Sequence, residues 1–275
     1  MAAKYTTTGY RYPNEYPILA ATILVVFLVI AFTAAATVCT SAIFVPVVVL
    51  YGYFASRSKH QALLAEAQQV STQSTPEMML ILQDNYARLQ VELVNVFIVR
   101  SNQLNAYTFG LESPKAVVLY SSLFRIMDRE EIQFILGHEM GHVKLGHTWL
   151  NTLVGGMAGI PSGLGAAAIM ELAFRWWNRA CEYSADRAGV LACAKPAKAI
   201  SALVKLEVGA TALTQAGMQA AIQHIETEDD DFMNNLGELL ASHPMVAKRV
   251  EEIRRFTNSQ AYRQMQVSMN KNLVV

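Results

Sequence analysis

The stretch DREEIQFILGHEMGHVKLGH, residues 128–147, decides how the rest of the chain is read. Asp128 is a favourable N-cap, and Glu131 three positions on completes a capping box, so a helix is expected to start here and run through about residue 147. An α-helix advances about 3.6 residues per turn, which puts residues four apart on one face. His138 and His142 therefore offer two imidazoles to a single point, the spacing a zinc ion uses. Glu139 stands beside the open position of such an ion rather than among its ligands. A carboxylate placed there takes a proton from a metal-activated water. His147 is a poorer ligand: on a continuing helix it points about 140° away from His142. It is read as a helix-end or supporting group.

A catalytic zinc needs a third protein ligand and an open water position. Forty residues after His142 the chain reads Glu-Tyr-Ser-Ala-Asp (182–186), inside a helical pattern spanning about 173–193. Glu182 is the expected third ligand. Asp186, one turn further on, is expected to accept a hydrogen bond from the non-ligating nitrogen of a ligand imidazole, that of His138. Further helices are expected over 60–69, 76–92, 198–214 and 244–256. The segments 93–99 and 115–120 read as strands, with 105–110 between them. The fold class is α+β, mainly α-helical, with a small β-sheet.

Composition limits what surrounds this core. The 275 residues are 53% hydrophobic and 16% charged, with 22 basic against 22 acidic side chains, where a soluble domain carries roughly 25% charge. Disorder is excluded for most of the chain. Nucleic-acid binding is unsupported, because neither net positive charge nor a basic block is present. Cys39, Cys181 and Cys193 are too few for a disulfide scaffold. The charge deficit is local: residues 16–56 hold no Asp, Glu, Lys, Arg or His over 41 positions. About 20 apolar residues cross a bilayer, so two short spans, 17–34 and about 41–54, are expected to form a transmembrane hairpin. Lys4 and Arg11 before it and Arg57 and Lys59 after it place both ends in the cytoplasm under the positive-inside rule. The domains follow: 1–56, N-terminal segment and hairpin; 57–92, helical linker; 93–257, the domain carrying both zinc strings; 258–275, flexible tail.

The strings 137–147 and 179–189 (RACEYSADRAG), Asn105-Ala106-Tyr107, and Ser242-His243-Pro244 with Arg249 together resemble the HtpX-type and CAAX-prenyl-endopeptidase-type membrane zinc metallopeptidases, gluzincins with Glu as third ligand. The resemblance covers about residues 93–256. It implies a zincin-like domain holding one zinc ion on His138, His142 and Glu182. Glu139 is then general base and acid, and Asp186 orients a ligand. It also implies a strand at Asn105, Ala106 and Tyr107 that offers its edge to an extended substrate, and His243 as a stabiliser of the oxyanion. His243 reads equally as a helix-start residue before Pro244. Members of HtpX type carry further spans between the two zinc strings. Here residues 148–170 are uncharged over 23 positions, yet His142 and Glu182 must meet on one side of the membrane. That segment is expected to be a bent helical excursion that does not span.

The function expected is a membrane-anchored zinc metalloendopeptidase in the cytoplasmic membrane, its catalytic domain in the cytoplasm. Its partners are a polypeptide substrate and the lipid bilayer, with membrane-protein quality control as one role. Oligomeric state is unreadable. The rival reading is a non-proteolytic membrane scaffold that keeps zinc for structure.

Overall fold

A computed structural model describes residues 9–36, 40–110, 113–148, 165–211 and 244–273. The hairpin turn expected near 37–40, most of the 148–170 excursion, and His243 lie outside or only partly within the described residues.

Two long helices open the chain, α1 (Glu15–Ala36) and α2 (Thr40–Ala65). A short strand β1 (Gln68–Gln69) follows, then α3 (Pro76–Leu89), β2 (Val94–Val99), β3 (Ala106–Phe109) and β4 (Lys115–Tyr120). The remaining elements are α4 (Leu123–Ile126), α5 (Arg129–Leu145), α6 (Gly165–Cys193), α7 (Pro196–Thr211), α8 (Pro244–Thr257) and α9 (Gln260–Leu273). The mainly helical α+β class holds.

The sheet runs in the order β1-β2-β4-β3. β2 and β4 pair in parallel, Val94 opposite Lys115, while β3 returns antiparallel to β4, Ala106 opposite Leu119. β3 is thus an edge strand. Val117, Val118 and Leu119 at the centre of β4 are fully buried, the continuous apolar run expected of a strand covered on both faces.

α5 is the central helix. Asp128 accepts from the Glu131 backbone N–H at 2.9 Å while the Glu131 side chain accepts from the Asp128 N–H at 2.9 Å, so the capping box forms as its sequence requires. Glu131 is also buried, against Lys205 Nζ of α7 at 3.1 Å. α5 and α6 approach closely along a seam of small residues. A Cβ on Gly141 would stand 2.6 Å from the Cβ of Ala188, and one on Gly137 2.5 Å from that of Ala192. This seam brings the two strings with the candidate metal ligands together.

Three expectations are corrected. Residues 60–69 are not one helix: α2 runs on to Ala65, and Gln68–Gln69 pair with β2. α6 starts at Gly165, about eight residues before the expected start. The tail from 258 is not a loose strand of chain: α9 occupies residues 260–273, with Tyr262 and Met269 buried against the core. Its Asn and Gln residues suggested mobility, but apolar residues at helical spacing give it a face to bury.

Candidate metal centre

α5 delivers His138, Glu139 and His142, all buried, and α6 delivers Glu182 and Asp186. The Nε2 atoms of His138 and His142 lie 3.2 Å apart. Glu182 Oε2 is 3.4 Å from His138 Nε2, and Oε1 is 3.4 Å from His142 Nε2. Ligand atoms about 2.0–2.1 Å from one tetrahedral zinc are separated from each other by about 3.3–3.4 Å, so the donor set fits such an ion. The chemistry of the donors agrees. His138 Nδ1 lies 3.0 Å from Asp186 Oδ1, and a carboxylate there holds the ring proton on Nδ1. The Nε2 lone pair then faces inward, toward a second imidazole nitrogen and a carboxylate. A cation placed where these three groups converge would satisfy all of them at once.

Arg249 of α8 clamps the carboxylates. Its Nε and Nη2 donate to Asp186 at 2.8 and 2.7 Å, and Nη2 also lies 3.2 Å from Glu182. Burial works to raise the Glu182 carboxyl, but Arg249 and the imidazoles outweigh it and hold the group well below the usual carboxylate range. Asp186 is shifted down against the same penalty of burial, with Arg249 as the strongest opposing influence. At His138 burial opposes the charge, yet Asp186 and Glu182 prevail and push the group up to about 10. The site attracts positive charge to the point where the three donors meet.

Glu139 has a partner that spacing alone does not reveal. Thr108 Oγ1 of the edge strand β3 donates to Glu139 Oε2 at 2.7 Å. Asn105, Ala106 and Tyr107 lie on this same strand and its approach: the Asn105 carbonyl accepts from the Tyr120 N–H, and Ala106 and Tyr107 pair with Leu119 and Val118. Tyr107 and Phe109 alternate with Thr108, and Phe109 stacks on His60 of α2 with ring centroids 3.8 Å apart. The edge strand is thus attached on one side to the carboxylate and on the other to the second N-terminal helix.

His147 departs from its expected position for a clear reason. α5 ends at Gly146, which takes the left-handed conformation (φ 77°) that glycine adopts without strain. The chain turns there, and His147 swings back until its Nδ1 lies 2.9 Å from His142 Nδ1. A helix continued through residue 147 would point it away. Burial holds His147 well below the usual histidine range.

A helix-borne histidine pair with an adjacent carboxylate, a third carboxylate from a second helix and a nearby strand edge defines the architecture of a metallopeptidase. Comparison with known proteins places it more narrowly: residues 66–257 match peptidase family M48, and the chain belongs to that family. It is a hydrolase of peptide bonds, and family membership implies a metal. Among its relatives are the plastoglobule-localized metallopeptidase 48, chloroplastic, of Arabidopsis thaliana, 28% identical over 201 residues (68% of this chain, 58% of that one). A protease HtpX homolog of Streptococcus gordonii is 26% identical over 231 residues (69% and 76%). Another from Thermococcus kodakarensis is 25% identical over 226 residues (68% and 75%). The HtpX-type resemblance is borne out. The chain spans little over half the length of the Arabidopsis protein.

Proposed function

We propose that this protein is a membrane-anchored zinc metalloendopeptidase whose ion is held by His138, His142 and Glu182. The observation that carries this reading is the convergence of the three donors at tetrahedral spacing beside Glu139. A zinc ion held by these three residues would supply Lewis acidity for the scissile carbonyl and would lower the pKa of a water toward neutral. Glu139 takes the proton from the attacking water and later hands it to the leaving amine. Thr108 holds Glu139 in one orientation. Asp186 fixes the His138 tautomer, and Arg249 fixes both carboxylates. The outer edge of β3, unpaired among the described residues, takes the substrate backbone as an added strand, and His243 is the candidate oxyanion donor. In detergent-solubilised protein, Glu139→Gln is expected to lower casein cleavage at least about 100-fold with one zinc still bound. Equal background cleavage from wild type and variant would leave the non-proteolytic scaffold standing.

The membrane reading rests on α1. Its stretch Glu15–Thr33 is long and apolar enough to cross a bilayer, and Phe27 and Phe32 are 64% and 78% exposed. A two-span hairpin is supported by both polar ends meeting the same domain. Glu15 at the start of α1 is buried against α6, and His60 near the end of α2 stacks on β3. A chain that leaves the domain and returns to it crosses an even number of times. The catalytic domain then lies on the side of Arg11 and Arg57, the cytoplasmic side.

A further inference from the structure

Asp186 orients His138, and His142 needs an equivalent. When Nε2 of His142 faces the ion, its proton sits on Nδ1 and donates to the group 2.9 Å away, His147 Nδ1. His147 must then carry its own proton on Nε2, which lies 3.1 Å from Glu15 Oε1. Each link leaves one consistent choice of tautomer for the next. The chain ends on a carboxylate, as it does at Asp186, but through one intervening imidazole.

Glu15 is built in as firmly as Asp186. Glu15 and His147 are each 2% exposed. Glu15 accepts from Arg11 and from Ser184 Oγ, and Ser184 lies between Glu182 and Asp186 on α6. Arg11 also donates to the Leu145 carbonyl at the end of α5 at 2.9 Å, the Tyr12 N–H donates to Ser184 at 2.8 Å, and Arg187 donates to the Arg11 carbonyl at 3.2 Å. Cys181 brings a third potential ligand near Glu15 and His147. Arg11 already neutralises this carboxylate, and both ring nitrogens of His147 are engaged, so the cluster serves the neighbouring site and is not a second one.

We infer that Glu15, the first residue of the membrane helix, is a positioning residue for the metal centre, acting through His147 on the ligand His142. The inference rests on the reading of His142 as a zinc ligand. It means that the metal centre is completed by the N-terminal segment that enters the membrane, so the peptidase core and its anchor share one polar network.

The test is zinc release from the full-length protein in detergent to a chromophoric chelator, with the visible spectrum of the cobalt-substituted protein as second readout. Glu15→Gln keeps the shape and removes the charge. His147→Asn keeps an acceptor near His142 but is too short to reach Glu15. Each is expected to speed zinc release about tenfold or more and to shift the cobalt bands, because partners of this kind change metal affinity by about 10–100-fold. The double variant is expected to match the worse single one, since both break the same chain. Thr22→Val removes a hydrogen bond from α1 to the Ala173 carbonyl of α6 and loosens the helix without touching the relay, so its release rate stays that of wild type. Should Glu15→Gln fail to accumulate, His147→Asn carries the comparison alone. Release within about twofold of wild type from a folded relay variant, or equal acceleration by Thr22→Val, would overturn the relay. Wild-type protein that binds no zinc would overturn the metal reading itself.

Discussion

At the scale of single residues, Thr108 is the least obvious participant. It is one threonine in a short edge strand, and nothing in its own neighbourhood in the sequence points to Glu139, 31 positions away. Its hydroxyl is nonetheless the group that fixes the carboxylate. A hydrogen bond to a charged group contributes about 1.5–3 kcal/mol. Thr108→Val, which conserves shape and β-propensity, is therefore expected to lower kcat for peptide cleavage by about 10–100-fold with KM and melting temperature little changed. Steady-state kinetics together with a thermal melt decide this, and a fall confined to KM would assign Thr108 to substrate contact instead. Lys205 makes the opposite case, a residue important to folding and remote from chemistry. It is buried with Glu131 under the start of α5 and donates to the Ile126 carbonyl. Lys205→Ala leaves Glu131 charged and buried, which costs about 3–5 kcal/mol and should appear as a lower unfolding midpoint in denaturant.

At the scale of elements, the α5–α6 seam decides whether the donors meet. The strings around His138 and Glu182 are each recognisable alone, but their convergence needs helix axes close enough for Glu182 to reach both imidazoles. Gly137, Gly141, Ala185, Ala188, Gly189 and Ala192 make that approach possible. Gly141→Ala improves helix propensity by about 1 kcal/mol, yet its methyl would sit 2.6 Å from the Cβ of Ala188 and 3.3 Å from the Cα of Ala185, neither of which has a rotamer to change. The helices must move apart, at a cost of about 1–3 kcal/mol. The expected outcome is a lower melting temperature and a substoichiometric zinc content by metal analysis. A Gly141→Ala protein with full zinc and wild-type stability would show that the seam has slack. The capping box at Asp128 was legible because its rule is local. The end of α5 was not: a helix pattern extended past Gly146 gave His147 the wrong direction, since whether a glycine continues or terminates a helix depends on what lies beyond it to receive the turn.

At the scale of the whole molecule, the N-terminal segment packs into the peptidase domain as well as carrying the proposed membrane anchor. Tyr10 is buried in the core, and Glu15 is held by His147 just beyond α5 and by Ser184 of α6. Removing residues 1–56 is therefore expected to leave a chain that does not fold as a soluble, zinc-loaded peptidase. Size-exclusion and metal analysis of the truncated protein check this; a monodisperse truncation with full zinc would contradict it. For the intact chain, retention in the membrane through an alkaline carbonate wash tests the anchor, and protection of the region around Lys59 from external protease tests its orientation.

The sequence by itself determined the family resemblance, the candidate donors and most of the elements. His138, Glu139, His142, Glu182 and Asp186 stand out as candidates because helical spacing and ligand chemistry are local rules, and the apolar run after Tyr16 stands out because its length and composition suit a bilayer. What the tertiary structure decided are contacts between residues far apart in the chain: Thr108 with Glu139, Arg249 with both carboxylates, and Glu15 with His147 and Ser184. A hydroxyl or a carboxylate acquires such a role only when packing removes it from water and leaves it one partner. That condition belongs to the fold, where desolvation makes an unpaired polar group costly and so selects the pairing.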